Sequence, residues 1–286
     1  MRMKTTYQDF WHRLARIYDE GEAKAIARTV YETRYGLSLA DLCMGRDEQI
    51  AHEEELQQLL ERLEQQEPVQ YVLGEARFCN RTFHVEPGVL IPRPETEELC
   101  RLVSTVCRPP LTAPSILDIG TGSGCIAITL ALDIPDSRVT AWDISPVALR
   151  VAGDNARQLG ASVTFREVDM LSVPYYPPFG GFGGGFDVIV SNPPYICDSE
   201  ADEMAANVLE YEPEIALFVP DDDPLRFYRP IMNYAQSALQ PDGWLFLEVN
   251  PLYEEWIEEH LLELGFAEVR SHDDQYGKTR FISAQR

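Results

Sequence analysis

Along the first seventy residues, apolar side chains recur at helical spacing. Tyr7 to Tyr18 places Phe10, Leu14, Ile17 and Tyr18 on one face. Glu22 to Arg34 reads as a second helix and a short one follows Ser38. A longer one, Asp47 to Gln66, sets Ile50, Leu56, Leu59, Leu60 and Leu63 in one stripe. Gly21 and Gly36 punctuate this region, and the stripes predict a small helical bundle. Tyr71 to Pro94 is rich in β formers and in turn residues such as Gly74, Asn80 and Pro87-Gly88, the composition of a hairpin-bearing linker. From Glu95 onward, short apolar runs near 115–119, 138–142, 162–167, 186–191, 243–249, 267–271 and 280–285 alternate with helical stretches. Such alternation predicts an α/β domain built on a doubly wound sheet. The chain therefore divides into a helical domain over 1–70, a linker over 71–94 and a larger domain over 95–286.

Chemistry gathers where these strands end. Ser115 to Ile119 runs into Gly120-Thr121-Gly122-Ser123-Gly124 and then a helical stretch from Cys125 to Leu132. Glycines let the backbone turn tightly and approach a ligand, and the following helix brings unpaired N–H groups. Asp118 adds an anionic acceptor just before the loop, and the next strand ends in Asp143, where an acidic side chain accepts hydrogen bonds from ribose hydroxyls. Together they read as a half-site for adenosine. The loop alone leaves the cofactor open, because Gly122-x-Gly124-x-x-Ala127 also satisfies the looser dinucleotide fingerprint of an NAD site. A pyrophosphate has no use for Asp118, whereas the cationic groups of S-adenosylmethionine do.

The strand Phe186 to Ser191 ends in Asn192-Pro193-Pro194-Tyr195. Two successive prolines remove two backbone donors and fix two φ angles, so the carbonyls around Asn192 and Pro193 become rigid acceptors. The Asn192 side-chain oxygen and the Pro193 carbonyl could each take one hydrogen of a planar NH2 group, with the Tyr195 ring against its π face. This pattern points to methylation of an amino group and decides for S-adenosylmethionine.

The same chain carries Pro68-Val69-Gln70-Tyr71-Val72-Leu73-Gly74, Phe78, Phe83-His84-Val85, and Leu90-Ile91-Pro92-Arg93-Pro94-Glu95-Thr96-Glu97. It also carries Glu212-Pro213-Glu214-Ile215-Ala216-Leu217 and Gly243-Trp244-Leu245-Phe246-Leu247-Glu248-Val249. With these segments it resembles, over nearly its whole length, the release-factor glutamine methyltransferases of the HemK/PrmC family. The resemblance implies the class I S-adenosylmethionine-dependent methyltransferase fold, a Rossmann-like seven-stranded sheet with its last strand antiparallel, behind an N-terminal helical domain that recognises substrate. It implies methyl transfer to the side-chain amide of the glutamine in the Gly-Gly-Gln motif of class 1 peptide-chain release factors. It also implies that Asp169 meets the adenine edge and Met170 its face, a thioether standing where other members can have an aromatic. Glu248-Val249-Asn250-Pro251 departs from a family pattern that commonly continues with glycine, which bears on the loop beside the substrate channel.

Charge sharpens the choice of substrate. The 286 residues carry 24 Lys and Arg against 47 Asp and Glu, with net −5 in residues 1–70 and net −18 in residues 71–286. From Asp198 to Asp223 there are ten acidic side chains and no Lys or Arg. An adenine N6-methyltransferase acting on nucleic acid, the alternative reading of Asn-Pro-Pro-Tyr, would need cations there. A nicotinamide-dependent oxidoreductase would leave the tetrapeptide without a use. The six cysteines show no C-x-x-C pair and read as reduced thiols of a cytoplasmic enzyme without a metal site. Neither a secretory signal nor a membrane span is expected, and a monomer is. Gly180 to Gly185, five glycines in six positions, reads as an uninvolved surface insertion.

Overall fold

The computed structural model describes residues 5–49, 53–107, 113–173 and 185–286. The chain divides into two compact units, Met1–Glu75 with Ala205–Tyr211, and Ala76–Met204 with Glu212–Arg286. In the first unit the elements are α1 (Tyr7–Leu14), α2 (Glu20–Tyr35), α3 (Leu39–Cys43), α4 (Glu53–Glu64) and α5 (Val69–Leu73). Thr6 caps α1 reciprocally with Asp9, and the Asp19 carboxylate accepts from Gly21 and Glu22 to start α2. α1 stops at Leu14 in a turn, with the Arg16 and Ile17 N–H groups donating to the Arg13 and Leu14 carbonyls, and the Asp19 cap places Gly21 inside α2. Phe10, Leu14, Val30, Tyr31, Leu60 and Leu63 close the bundle core, with Phe10 edge-on to Tyr31. The stripe expected over 47–66 is a 3-10 turn, Arg46–Gln49, followed by α4, and Ile50 falls outside the described residues.

The second unit begins with the hairpin β1 (Glu75–Phe78) and β2 (Arg81–His84), followed by α6 (Thr96–Val106), β3 (Ser115–Ile119), α7 (Cys125–Asp133), β4 (Arg138–Asp143), α8 (Pro146–Leu159), β5 (Val163–Glu167) and β6 (Phe186–Ser191). Along the chain then come β7 (Ile196–Cys197), α9 (Ala206–Tyr211), which returns to the first unit, and, in the second unit again, α10 (Glu214–Leu217), β8 (Phe218–Val219), α11 (Tyr228–Ala238), β9 (Leu239–Glu248), α12 (Glu254–Glu263), β10 (Ala267–Asp273) and β11 (Thr279–Gln285). Seven strands form one sheet in the order β10-β11-β9-β6-β3-β4-β5. All adjacent pairs from β9 to β5 are parallel, and β11 is antiparallel to both of its neighbours. The predicted class I methyltransferase sheet is therefore present, with its final strand reversed.

Two differences from the sequence reading concern partition. The segment 71–94 is not a linker between domains: Tyr71 to Leu73 are buried in α5, while Phe78 and Phe83 pack edge-on in the same apolar cluster as Leu99, Ile116, Ile126 and Val188. Apolar burial draws the hairpin into the second unit's core. Conversely, α9 belongs to the first unit, where the Tyr211 hydroxyl donates to the Gln65 carbonyl at 2.8 Å. β9 starts at Leu239, ahead of the run the sequence suggests, because Gln240-Pro241-Asp242 reads as a turn but forms an irregularity in the pairing with β6, with Asp242 at φ 64°.

The other face of the sheet is covered by α11 and α12, with Ile231, Tyr234, Ile257 and Leu261 packing on Leu117, Ile189 and Leu245. Among the described residues no helix is long and apolar enough to cross a membrane.

Candidate active site

The parallel strands β3, β4, β5 and β6 end along one edge, and a cavity of about 530 Å³ opens there. This is the edge at which open α/β sheets receive ligands, and the volume suits a small molecule. Its wall includes Gly120, Thr121, Gly122 and Ser123 after β3, Asp143 at the end of β4, Asp169 and Met170 after β5, and Asn192, Pro193 and Pro194 after β6. Four segments, drawn from a stretch that runs from Gly120 to Pro194, thus meet at one void.

The glycine loop is tied down through its backbone. The N–H groups of Gly120 and Thr121 both donate to the Trp142 carbonyl, at 2.9 and 3.0 Å, and the Gly122 N–H donates to Asp143 Oδ2 at 2.8 Å. The second Asp143 oxygen accepts from the Ser145 N–H at 2.9 Å. Burial raises the Asp143 carboxyl above its ordinary value, and the N–H groups of Ser145, Gly122 and Ile144 oppose that rise. Gly124, at φ +83°, is absent from the wall, and its need for glycine is a packing need. A Cβ there would lie 2.9 Å from Ile128 Cδ1 and 3.0 Å from Ala152 Cβ. Asn155 of α8 braces the loop from behind. Its NH2 donates to the carbonyls of Ser123 and His84, at 2.9 and 3.0 Å, and its oxygen accepts from the His84 N–H at 2.7 Å.

Asp118 behaves differently from expectation. It is fully buried beneath the loop, outside the described cavity wall, and its Oδ2 accepts the Thr121 hydroxyl at 2.6 Å. Desolvation raises its carboxyl to about 7. A strand-end aspartate followed by glycines reads from sequence as a ligand group, but the Asp118 side chain is met by the Thr121 hydroxyl of the loop and the Ala127 N–H of α7. The Asp169 oxygens accept from the Leu171 N–H at 2.9 Å and the Ser172 hydroxyl at 2.6 Å, fixing the short turn that presents buried Met170 to the cavity.

Beyond Asn192, a line of polar bonds was invisible in the sequence. The Asn192 NH2 donates to Thr96 Oγ1 at 3.2 Å, and the Thr96 hydroxyl donates to Glu248 Oε2 at 2.8 Å. The Tyr195 hydroxyl donates to Glu248 Oε1 at 3.0 Å and lies 3.5 Å from Arg280 Nη1. Glu248 is buried, and desolvation raises its carboxyl against the lowering pull of Thr96, Tyr195 and Arg280. Tyr195 is accordingly not on the described cavity wall. Its ring packs beside the core of the sheet, and its hydroxyl is bonded to Glu248. Burial, then the Glu248 charge, pushes the Tyr195 phenol above its ordinary range.

Two further sequence segments find their place here. Arg93 and Glu212 form an ion pair at 2.6 Å, with Glu212 also accepting from the Ile91 N–H at 3.1 Å, and Pro213, Ile215 and Ala216 continue the wall. Glu212 is therefore a buried structural partner within the acidic stretch. Asn250, where glycine was the expected residue, donates to the Tyr195 carbonyl at 3.2 Å and to Glu200 at 3.0 Å, and caps the turn at Leu252. That side chain ties β9 to the segment after Tyr195. The glycine-rich stretch lies outside the described residues up to 184. Among the described residues no group of His, Cys, Asp and Glu is arranged to hold a metal ion.

Residues 112–272 match a family model described as a methyltransferase domain, and residues 7–74 match one described as the PrmC N-terminal domain. The chain is 44% identical over 272 residues to a release factor glutamine methyltransferase of Bacteroides thetaiotaomicron, spanning 94% of this chain and 95% of that protein. It is 39% identical over 289 residues to a protein of the same name from Flavobacterium psychrophilum, spanning 99% and 98%. The chain belongs to the release factor glutamine methyltransferase family. It is accordingly an S-adenosylmethionine-dependent methyltransferase, and the nicotinamide reading of its glycine loop is set aside. A solved 16S rRNA N2 G1207 methyltransferase from T. Thermophilus shares the fold alone, with a TM-score of 0.51 and 19% identity over 74% of this chain and 49% of that one.

The site's chemistry fits the cofactor. Asp143 offers carboxylate acceptors already aimed by backbone N–H groups, and Ile144 and Met170 supply apolar wall for a purine.

Proposed function

We propose that this chain methylates the side-chain amide nitrogen of the glutamine in the Gly-Gly-Gln motif of class 1 peptide-chain release factors. The observation that carries the reading is that Asn192 and Pro193 share one cavity wall with the glycine loop and Asp143. An amide nitrogen is a poor nucleophile because its lone pair is delocalised into the carbonyl, so orientation has to stand in for basicity. Asn192 Oδ1 and the Pro193 carbonyl each accept one hydrogen of the substrate NH2, which raises electron density on nitrogen and fixes the direction of its lone pair. When bound, S-adenosylmethionine supplies the methyl group as its S–CH3 bond breaks, the thioether S-adenosylhomocysteine leaves, and the substrate nitrogen releases one of its two protons to solvent. Gly120 to Ser123, Asp143, Asp169 and Met170 hold the cofactor, and Pro213, Ile215 and Ala216 flank the glutamine. No side-chain nucleophile takes part.

The helical unit recognises the protein substrate, and the enzyme acts in the cytoplasm as a monomer. The acidic stretch from Asp198 to Asp223 supports a protein substrate over a polyanion. The test is incubation with labelled S-adenosylmethionine and, in separate reactions, a release factor, the same factor with its Gly-Gly-Gln glutamine replaced by alanine, and adenine-containing oligonucleotides. Label should enter only the unaltered factor. Label in the oligonucleotides, or equal label in the altered factor, would refute the proposal.

A further inference from the structure

Asn192 can accept a hydrogen from the substrate only if its side-chain oxygen, and not its NH2, faces the cavity. We propose that Thr96 and Glu248 are positioning residues that fix this orientation, an inference that rests on the amide-acceptor reading above. The argument follows the direction of each proton. Arginine can only donate, so Tyr195, 3.5 Å from Arg280 Nη1, accepts there and gives its own proton to Glu248 Oε1 at 3.0 Å. The other carboxylate oxygen, Oε2, takes the single proton of the Thr96 hydroxyl at 2.8 Å. Thr96 Oγ1 then has only lone pairs to offer Asn192, at 3.2 Å. A donor must meet them, so the Asn192 NH2 is held against Thr96 and Oδ1 is left for the cavity.

The opposite orientation fails at both ends. It would set Oδ1 against the Thr96 lone pairs with no hydrogen between them. It would also present NH2 to a substrate group that itself has only hydrogens to give. Glu248 and Thr96 are both buried, so the bond between them is shielded from bulk water and the Thr96 proton stays committed to the carboxylate. Neither residue needs to touch the reacting nitrogen for this to hold, since the effect passes entirely through the Asn192 amide. The fold secures the relay by bringing the start of α6, the end of β6 and the end of β9 together.

The experiment measures single-turnover methylation of a release factor at saturating S-adenosylmethionine for four proteins: Asn192→Ala, Thr96→Val, Thr96→Ser and the double variant Thr96→Val with Asn192→Ala. Loss of one positioned acceptor typically costs about two to three powers of ten in rate, and Asn192→Ala should show that loss. Thr96→Val keeps the shape and removes the hydroxyl, so it should lose at least about tenfold in rate with cofactor affinity unchanged, and Thr96→Ser should restore the rate to within a few-fold of wild type. In the Thr96→Val background, Asn192→Ala should cost much less than it does alone, because the oxygen it removes is already misdirected. A structural role for Thr96 would instead make the two losses multiply. Wild-type turnover in Thr96→Val beside a slow Asn192→Ala would overturn the proposal and leave the amide-acceptor reading standing. Wild-type turnover in Asn192→Ala would overturn that reading itself. Should Thr96→Val fail to fold, Glu248→Gln takes its place. It keeps the shape but can give a hydrogen to Thr96, so it should slow turnover several-fold at unchanged cofactor affinity, and a wild-type rate would overturn the proposal equally.

Discussion

Replacing Asp118 by asparagine keeps the shape of a side chain enclosed beneath the glycine loop and removes its ability to ionise. Burial raises this carboxyl from its ordinary 3.8 to about 7, while the Thr121 hydroxyl and the nearby Ala127 N–H pull it down by less. Desolvation prevails because Oδ1 makes no hydrogen bond, so half of the charge would be unsupported. Between those two values the folded protein holds a proton that the unfolded chain has released. Stability contributed by this group is therefore present below about 4 and declines as pH rises toward about 7, above which it is level. Inside the window the slope is about 1.4 kcal/mol per pH unit. From about pH 5.5 to 8.5 the unfolding free energy of Asp118→Asn should gain about 2 kcal/mol on that of wild type, nearly all of it below about pH 7.5. Urea unfolding followed by intrinsic fluorescence across that range measures the difference directly. Any penalty from the new NH2 group is the same at every pH, so the slope carries the result. Two stability curves that run parallel from about pH 5.5 to 8.5 would refute the reasoning.

Two further outcomes follow from the loop. Asp143→Ala removes acceptors that are already aimed at the cavity, and should weaken S-adenosylhomocysteine binding by roughly tenfold or more, with no NAD binding in either protein; calorimetry showing unchanged affinity would count against the ribose role. Gly124→Ala must fit a Cβ against Ile128 and Ala152 at φ +83°, and should lose about 1–3 kcal/mol of stability, read as a lower melting temperature that excess cofactor only partly restores.

Local patterns carried most of the fold into view. The run Ser115 to Ile119 followed by glycines, and Phe186 to Ser191 followed by Asn-Pro-Pro, announce both a strand and its functional end, because strand, turn and ligand group are adjacent in sequence. The partners that orient those groups are not adjacent. Thr96 lies 96 residues from Asn192 and 152 from Glu248, and no periodicity reaches that far. Asn155 and the Arg93–Glu212 pair were hidden for the same reason. Asp118 and Tyr195 each have the chemistry of a ligand group, and the local sequence does not show that the fold buries the first beneath the glycine loop and bonds the hydroxyl of the second to Glu248. A bounded helix such as α1 was over-extended because its apolar face continues beyond Leu14 while the cap at Asp19 starts the next helix.

The placement of α9 with the N-terminal helices has a consequence for how the protein is made. A ribosome completes α1 to α5 long before it reaches Tyr211, whose hydroxyl bonds to the carbonyl of Gln65, 146 residues earlier. At about 5–20 residues per second the interval is on the order of ten seconds or more. During that time the first unit stands without one of its helices, while β1 to β6 emerge behind it. Closure of α9 onto the first unit thus follows synthesis of β1 to β7 of the catalytic unit. The long sequence separation also places that closure among the slow, non-local events of folding.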